Sequence, residues 1–288
     1  MNKHQLLILG AASLMALNTS ANTEHSATHH AVADKVISQQ RQKLAENTAN
    51  KGFGPQAPRD IDSALGSNTI AFNEAPTYKQ MNLCNIHFHK NAEHKGGEFT
   101  QYAGNGDGHG YQSGYQYNGH LTEAELAPVA HEICPSAHGS LYPGDTIELH
   151  YVHSSAQVVP GPTLASCLNE AINNPQLRVE TQVFVLVNDE QAEDFMALTQ
   201  VGSVNGFHQA LNILNNTGEA VQYAGSTTGP GYNEKASPFQ VSWSVRPKVA
   251  KVNINTVGKW CEGNIFEEDH AHGVRNLVVN PALLSPIK

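Results

Sequence analysis

The chain has 288 residues, 40% of them hydrophobic and 15% charged, which is enough apolar material for one sizeable core and too much for a disordered chain. Its 17 Lys and Arg against 26 Asp and Glu give a formal charge of −9, so there is no basic surplus to neutralise a phosphate backbone and nucleic acid is not an expected partner. The 16 His are the outlier, because imidazole is both the commonest metal ligand and the side chain that titrates near neutrality.

Residues 1–21 read as a signal peptide: a basic start (MNKH), an apolar stretch (QLLILGAASLMAL) and the small residues Thr19, Ser20 and Ala21 before the cut. That stretch is shorter than the roughly 20 residues a spanning helix needs, and no later segment approaches the length. The mature protein is therefore expected in the periplasm or outside the cell, with no membrane span. An oxidising compartment favours disulfides among Cys84, Cys134, Cys167 and Cys261. Four cysteines allow three pairings that sequence alone does not separate; the expectation is Cys84 with Cys261 and Cys134 with Cys167.

Residues 22–50 are polar, with Val32, Val36, Ile37 and Leu44 near helical spacing, and predict an amphipathic helix at the domain edge, preceded by a solvated arm carrying His25, His29 and His30. Residues 51–288 read as one domain. Within it, β-branched and aromatic runs predict strands at 68–72, 83–89, 146–153, 178–187, 239–245 and 249–257, a mainly β fold. Helices are expected at 121–133, where Thr122 suits a cap and Glu123 and Glu125 a first turn, at 189–199, and as a short piece at 162–173. The Gly-rich stretch 103–120 lacks the Lys-Ser/Thr ending of a phosphate loop and reads as an irregular excursion.

The chemistry concentrates in NIHFHKNAEH, residues 85–94. Strand residues two apart share a face, so His87 and His89 project together while Ile86 and Phe88 point the other way. Cys84 has the parity of the apolar face, which suits a buried or bridged role. In TIELHYVHSS, residues 146–155, His150 completes a three-His set if the two strands pair, with Glu148 on the same face to orient a ring and His153 of opposite parity. Three neutral imidazoles leave one tetrahedral position of Zn2+ open, the arrangement of a catalytic site, and would also accept Co2+.

These residues resemble a family. HFH, EH and ELHYVH are similar, in order, to the HFHW, SEH and ELHLVHW of the α-class carbonic anhydrases; YAGSTTGP followed by VSWSV resembles that family's YxGSxTTPP and VTWxV, and GPQAPRDID a loose QSPIxI. The interval from His89 to His150 is far longer than in the α-class, and NIHFHKNAEHKGGEF is closer to the α-related δ-class, whose HxH is followed by EHxxxGE. The resemblance is thus to an exported bacterial carbonic anhydrase of δ-class type. It implies a mainly β fold, with an antiparallel central sheet like that of α-carbonic anhydrases and short peripheral helices. It implies reversible hydration of carbon dioxide to bicarbonate and a proton by metal-bound hydroxide, with weak esterase activity. By the same resemblance His87, His89 and His150 are the metal ligands, Glu148 holds the ring of the third, and Thr228 is the gatekeeper that passes its proton to Glu93, with Thr227 in its place if the loop is shifted by one. The family's proton-shuttle His has no counterpart, since IAFN laid on HAFN puts Ile70 there; His94, His109, His120 and His153 stay open as relays. Val152, Val185, Leu186 and Trp243 are the expected hydrophobic wall.

Two other readings accompany this one. HFHKNAE also suits a cupin-like dioxygenase or isomerase with Glu93 as a ligand, although LYPGDTIELH lacks the cupin PxGxxH spacing. A periplasmic metal- or carbohydrate-binding module without turnover is the non-enzymatic alternative. The second HxH, His270 and His272 in EEDHAHGVRN, reads as a surface or partner-contacting tail, and the oligomeric state stays open, a homodimer being compatible.

Overall fold

The β-branched runs do pair into a sheet, and its register decides which side chains meet. The computed structural model describes residues 31–70 and 72–287; the expected signal peptide and His25, His29 and His30 lie outside the described residues. In chain order it contains α1 (Asp34–Thr48), β1 (Asn82–Lys90), β2 (Gln101–Asn105), β3 (Ser113–Gln116), β4 (Thr146–Ser154), β5 (Leu177–Val187), α2 (Phe195–Leu198), β6 (Val201–Val204), β7 (Phe207–Ala210), β8 (Val221–Ser226), β9 (Gln240–Asn253) and α3 (Ile254–Cys261). The mainly β fold with small peripheral helices is as expected. The central sheet has the order β1-β4-β5-β9-β8 and is mixed, every neighbouring pair being antiparallel except β5 and β9, which run parallel.

Both faces of this sheet are covered, which is why LRVETQVFVLV is buried along its whole length. On one face Ile86, Phe88, Leu149, Tyr151, Phe184 and Leu186 pack with Phe195 of α2 and with Val257 and Trp260 of α3. On the other, Val152, Val179 and Val183 pack with Tyr223 and Trp243. Each such side chain stabilises the fold by roughly 1.5–3 kcal/mol through burial. Helix α1 lies outside the sheet: Leu44 packs on Val278, Leu283 and Leu284, Gln40 donates to the Gly108 carbonyl, and Arg41 to that of Leu277.

Several expectations change. Residues 239–245 and 249–257 form a single strand that ends at Asn253, whose side chain caps α3, so 254–257 are helical. Pro247 is tolerated in it because the register with β5 jumps from Thr181↔Val245 to Val183↔Val249, leaving the proline in a bulge with no ladder bond to donate. Residues 121–133 make one turn, held by the Thr122 and Glu125 reciprocal bonds, and stop because Pro128 has no N–H and clashes with a preceding carbonyl. Only Phe195–Leu198 of 189–199 is α-helical, and 162–173 holds a 3₁₀ turn at Leu164–Cys167. The described part of 68–72 lies outside the sheet, with Asn68 bonded to Leu284. The Gly-rich excursion is a β2–β3 hairpin docked on the turn after β1 through Ala92 and Tyr115.

The disulfide pairing is corrected to Cys84–Cys167 and Cys134–Cys261. A bulge between Leu83 and Asn85 breaks the alternation of β1. It moves Cys84 off the face of Ile86 and into the cluster of Val152 and Cys167, while Cys134 packs in the opposite core beside Val257 and Trp260. Two disulfides point to an oxidising, extracytoplasmic setting. No helix among the described residues is long and apolar enough to cross a membrane.

Candidate metal centre

Antiparallel pairing of β1 with β4 sets His87 opposite His150 and His89 opposite Glu148 on one face. Each of the three His rings commits one nitrogen to an acceptor behind it. His87 Nδ1 donates to Asn85 Oδ1 at 2.6 Å, His89 Nδ1 to the Gly273 carbonyl at 2.9 Å, and His150 Nε2 to Glu148 Oε1 at 2.6 Å. These bonds fix the tautomers, so the lone pairs of His87 Nε2, His89 Nε2 and His150 Nδ1 are left to face one another. His87 Nε2 and His150 Nδ1 are 3.2 Å apart, His89 Nε2 is buried with no hydrogen-bond partner, and one nitrogen from each ring lies within 4.8 Å of the others. Three converging acceptors of this kind could hold a metal ion. Three imidazole nitrogens are a donor set that fits a metal ion with a further coordination position left open.

Burial keeps these rings neutral: it drives His87 well below the ordinary imidazole value, His89 down to about 4, and lowers His150. Glu148 is the hub behind them. Its carboxylate takes the His150 proton, the His94 Nδ1 proton at 2.7 Å and the His94 backbone N–H at 3.0 Å, while His94 Nε2 accepts from Tyr223 at 2.7 Å. Burial alone would raise its carboxyl, but His94 and His150 hold it well below the usual range. His94 is therefore no relay to solvent; it is fully buried and clamps Glu148. His153 faces the other core with its Nδ1 on the Tyr151 carbonyl, and His109 and His120 are exposed and do not line the site.

A cavity of about 250 Å³ opens over the three rings, lined also by Glu93, Thr228, Tyr111, Leu164 and His272. Thr228 Oγ1 is buried and has no partner, whereas Thr227 is fixed through its backbone to Phe239 and Ser237. Glu93 sits behind His89, 3.8 Å from its Nδ1, and accepts from the Arg275 N–H at 2.6 Å; burial pushes its carboxyl up to about 7. The expected bond between Thr228 and Glu93 is not formed, although both line the cavity. Glu93 also stands on the wrong side of His89 to join the converging nitrogens, so the cupin ligand set is not assembled.

Residues 78–256 match the family model for delta carbonic anhydrase. The chain belongs to the delta carbonic anhydrase family. A hyperthermostable carbonic anhydrase from an active hydrothermal vent chimney is 17% identical, covering 80% of this chain and 87% of its own, with a TM-score of 0.28. A halotolerant carbonic anhydrase of Dunaliella salina is 16% identical over 76% and 84%, TM-score 0.30, and the alpha-carbonic anhydrase of Photobacterium profundum 14% over 82% and 93%, TM-score 0.28. No curated protein matches the chain.

Sequence reasoning missed Tyr111, Leu164 and His272 in this carbonic anhydrase's cavity, and His272 is the one of the three whose side chain titrates near neutrality. The C-terminal segment returns alongside β1, where the His272 N–H bonds the Phe88 carbonyl and the Lys90 N–H bonds the His272 carbonyl, so it is no loose tail. The His272 ring stands 5.6 Å from that of His87, half-exposed, with Nε2 2.6 Å from Glu268 Oε2. The HxH at 270–272 was a visible signal, but only long-range docking could assign it here. The expected hydrophobic wall is also displaced. Leu186 belongs to the opposite core, and Val152 and Trp243 lie beneath the site as core residues without lining the cavity.

Proposed function

We propose that this carbonic anhydrase hydrates carbon dioxide reversibly to bicarbonate and a proton, with Zn2+ held by His87 Nε2, His89 Nε2 and His150 Nδ1. The single observation that carries the reading is the set of three mutually facing ring lone pairs, each fixed by an acceptor on the far nitrogen. A bound ion of this kind lowers the pKa of a coordinated water to about 7 and so supplies the nucleophile near neutral pH. Asn85, the Gly273 carbonyl and Glu148 hold the ligand rings in place. Thr228 Oγ1 is the buried hydroxyl in reach of the cavity that accepts a hydrogen bond from the nucleophile, and Glu93 is the carboxyl assigned to Thr228's own proton. His272, half-exposed at the cavity and bonded to Glu268, hands the released proton to solvent. Co2+ is the metal expected to substitute.

The working form is the exported chain after removal of residues 1–21, periplasmic or secreted, in which residues 51–288 act as one domain with α1 docked on it. The test is stopped-flow carbon dioxide hydration on the chain from Asn22, with metal content by mass spectrometry, beside His89→Ala. About one zinc per chain, with fast hydration abolished in the variant, supports the reading; stoichiometric metal without hydration refutes it.

A further inference from the structure

The cavity over the three His is small for a ligand site, at about 250 Å³. Typical ligand pockets run from about 300 to 1,000 Å³. Its lining is mostly imidazole, hydroxyl, amide and carboxylate, with Leu164 the open-chain aliphatic group. Leu164 does not come from the sheet. It stands in the middle of a strap, residues 161–167, that is pinned at both ends to the strand carrying the ligands. At one end the Gly161 N–H bonds the Cys84 carbonyl at 3.0 Å, and Asn85 Nδ2 bonds the Gly161 carbonyl at 3.1 Å. At the other, Cys167 is bridged to Cys84 and its carbonyl accepts from Ser154 Oγ at 2.7 Å.

Within the strap, Thr163 is held at φ 57° and ψ 172°, a positive-φ conformation that a β-branched residue adopts only when its surroundings over-determine it. Its Oγ1 caps the following turn at Ala165, and Ser166 Oγ closes back on the Pro162 carbonyl. Leu164 packs its inner side against the core that contains Val152 and Cys167. The same Asn85 amide that anchors the strap also fixes the His87 ring, so wall and ligand share one support. A wall pinned twice to the ligand strand does not yield to a larger substrate.

We propose that this strap sets the size of substrate at the metal centre, with Leu164, held in the cavity wall by the Cys84–Cys167 bridge and Asn85, admitting small linear molecules such as carbon dioxide and excluding esters with bulky groups. The proposal rests on the carbonic anhydrase reading of the site. Shortening Leu164 removes apolar contact for carbon dioxide and opens room beside the nucleophile; enlarging it closes that room.

The test uses the zinc-loaded chain from Asn22, its Leu164→Ala and Leu164→Phe variants, and a Cys84→Ser/Cys167→Ser double variant. Each is assayed for carbon dioxide hydration and for hydrolysis of 4-nitrophenyl acetate and 4-nitrophenyl butyrate. A change of one or a few methylenes in an apolar pocket shifts discrimination by about tenfold or more. The ratio of butyrate to carbon dioxide kcat/KM is expected to rise about tenfold in Leu164→Ala, to fall in Leu164→Phe, and to rise in the serine variant. A merely structural role would lower all substrates together. Binding gives a second readout: in cobalt-loaded protein, the visible spectrum titrated with acetate and benzoate should show benzoate gaining on acetate in Leu164→Ala and losing in Leu164→Phe. Ratios unchanged within about twofold in both Leu164 variants of an active enzyme would overturn the proposal, and a rise in Leu164→Ala without one in the serine variant would remove the bridge from it. Absence of hydration in the unaltered zinc-loaded chain would instead refute the reading on which it rests.

Discussion

Replacing Glu148 by Gln changes one atom in the least accessible part of the site, and the consequence can be worked donor by donor. The carboxylate oxygens receive three N–H groups: His150 Nε2 and His94 Nδ1 both reach Oε1, and the His94 backbone reaches Oε2. A Gln offers one acceptor oxygen and one NH2. If the oxygen keeps the two rings, the NH2 opposes the His94 backbone N–H; if the amide flips, it opposes both rings. Either way two donors meet in a fully buried place, and the charge that favours the His150 N–H tautomer is gone. Loss of such a partner behind a metal ligand weakens metal binding about 10- to 100-fold, or about 1.4–2.7 kcal/mol. The assay is zinc affinity by competition with a chromophoric chelator, with circular dichroism to establish that the variant is folded. Zinc bound by a folded Glu148→Gln within about twofold of the unaltered protein would refute the assignment of Glu148 as the group that holds His150.

Thr228→Val should retain zinc and lose about 10²-fold or more in carbon dioxide kcat/KM, because it deletes the buried hydroxyl facing the cavity; full activity in stopped flow would remove Thr228 from the mechanism. His272→Ala should lower kcat in dilute buffer with little change in KM, and imidazole buffer should restore it; a KM effect without rescue would make His272 structural. His153, held neutral by burial in the opposite core with a value lowered to about 3, makes the folded state disfavour its protonation. Its stability contribution is complete above about pH 6.5 and is lost as pH falls from 6.5 toward 3, at about 1.4 kcal/mol per unit, so about 2.7 kcal/mol by pH 4.5. Urea unfolding of His153→Phe against pH should show a flatter acid limb than the unaltered chain, and parallel curves would contradict this.

The parts of this protein that sequence made legible are those governed by alternation. His87, His89, His150 and Glu148 share one face because period-2 strands place them there, and an antiparallel pairing in the right register was the one further condition. The same rule misplaced Cys84, since a single extra residue in β1 moves it to the opposite face, and with it the disulfide partner changes. Helix expectations failed where a local signal was cut short: Thr122 and Glu125 make their reciprocal bonds, and Pro128 ends the turn. The boundary between β9 and α3 depends on the Asn253 side chain capping Asn255, a contact that Val-rich composition does not announce.

The division has a functional consequence. The three His and two of the groups behind them, Asn85 and Glu148, come from two adjacent strands, where period and register decide their placement, and the Gly273 carbonyl behind His89 is the one support brought by the C-terminal segment. The cavity comes from elsewhere: Tyr111 from the hairpin inserted between β1 and β4, Leu164 from the disulfide-pinned strap, Thr228 from the turn after β8, and His272 from the returning C-terminal segment. None of these four segments has a hydrophobic period, and each is placed by contacts across the chain, such as Gly110, whose φ of +105° lets its backbone lie against Val274 where a Cβ would come within 2.5 Å of the Val274 carbonyl. Chemistry that any such triad can perform is thus written in the strands, while access, orientation and proton exit are written in the loops. Variation in those four segments, Gly273 apart, is therefore expected to change substrate size and turnover while leaving metal affinity intact, whereas substitutions at Asn85 or Glu148 act on the metal first.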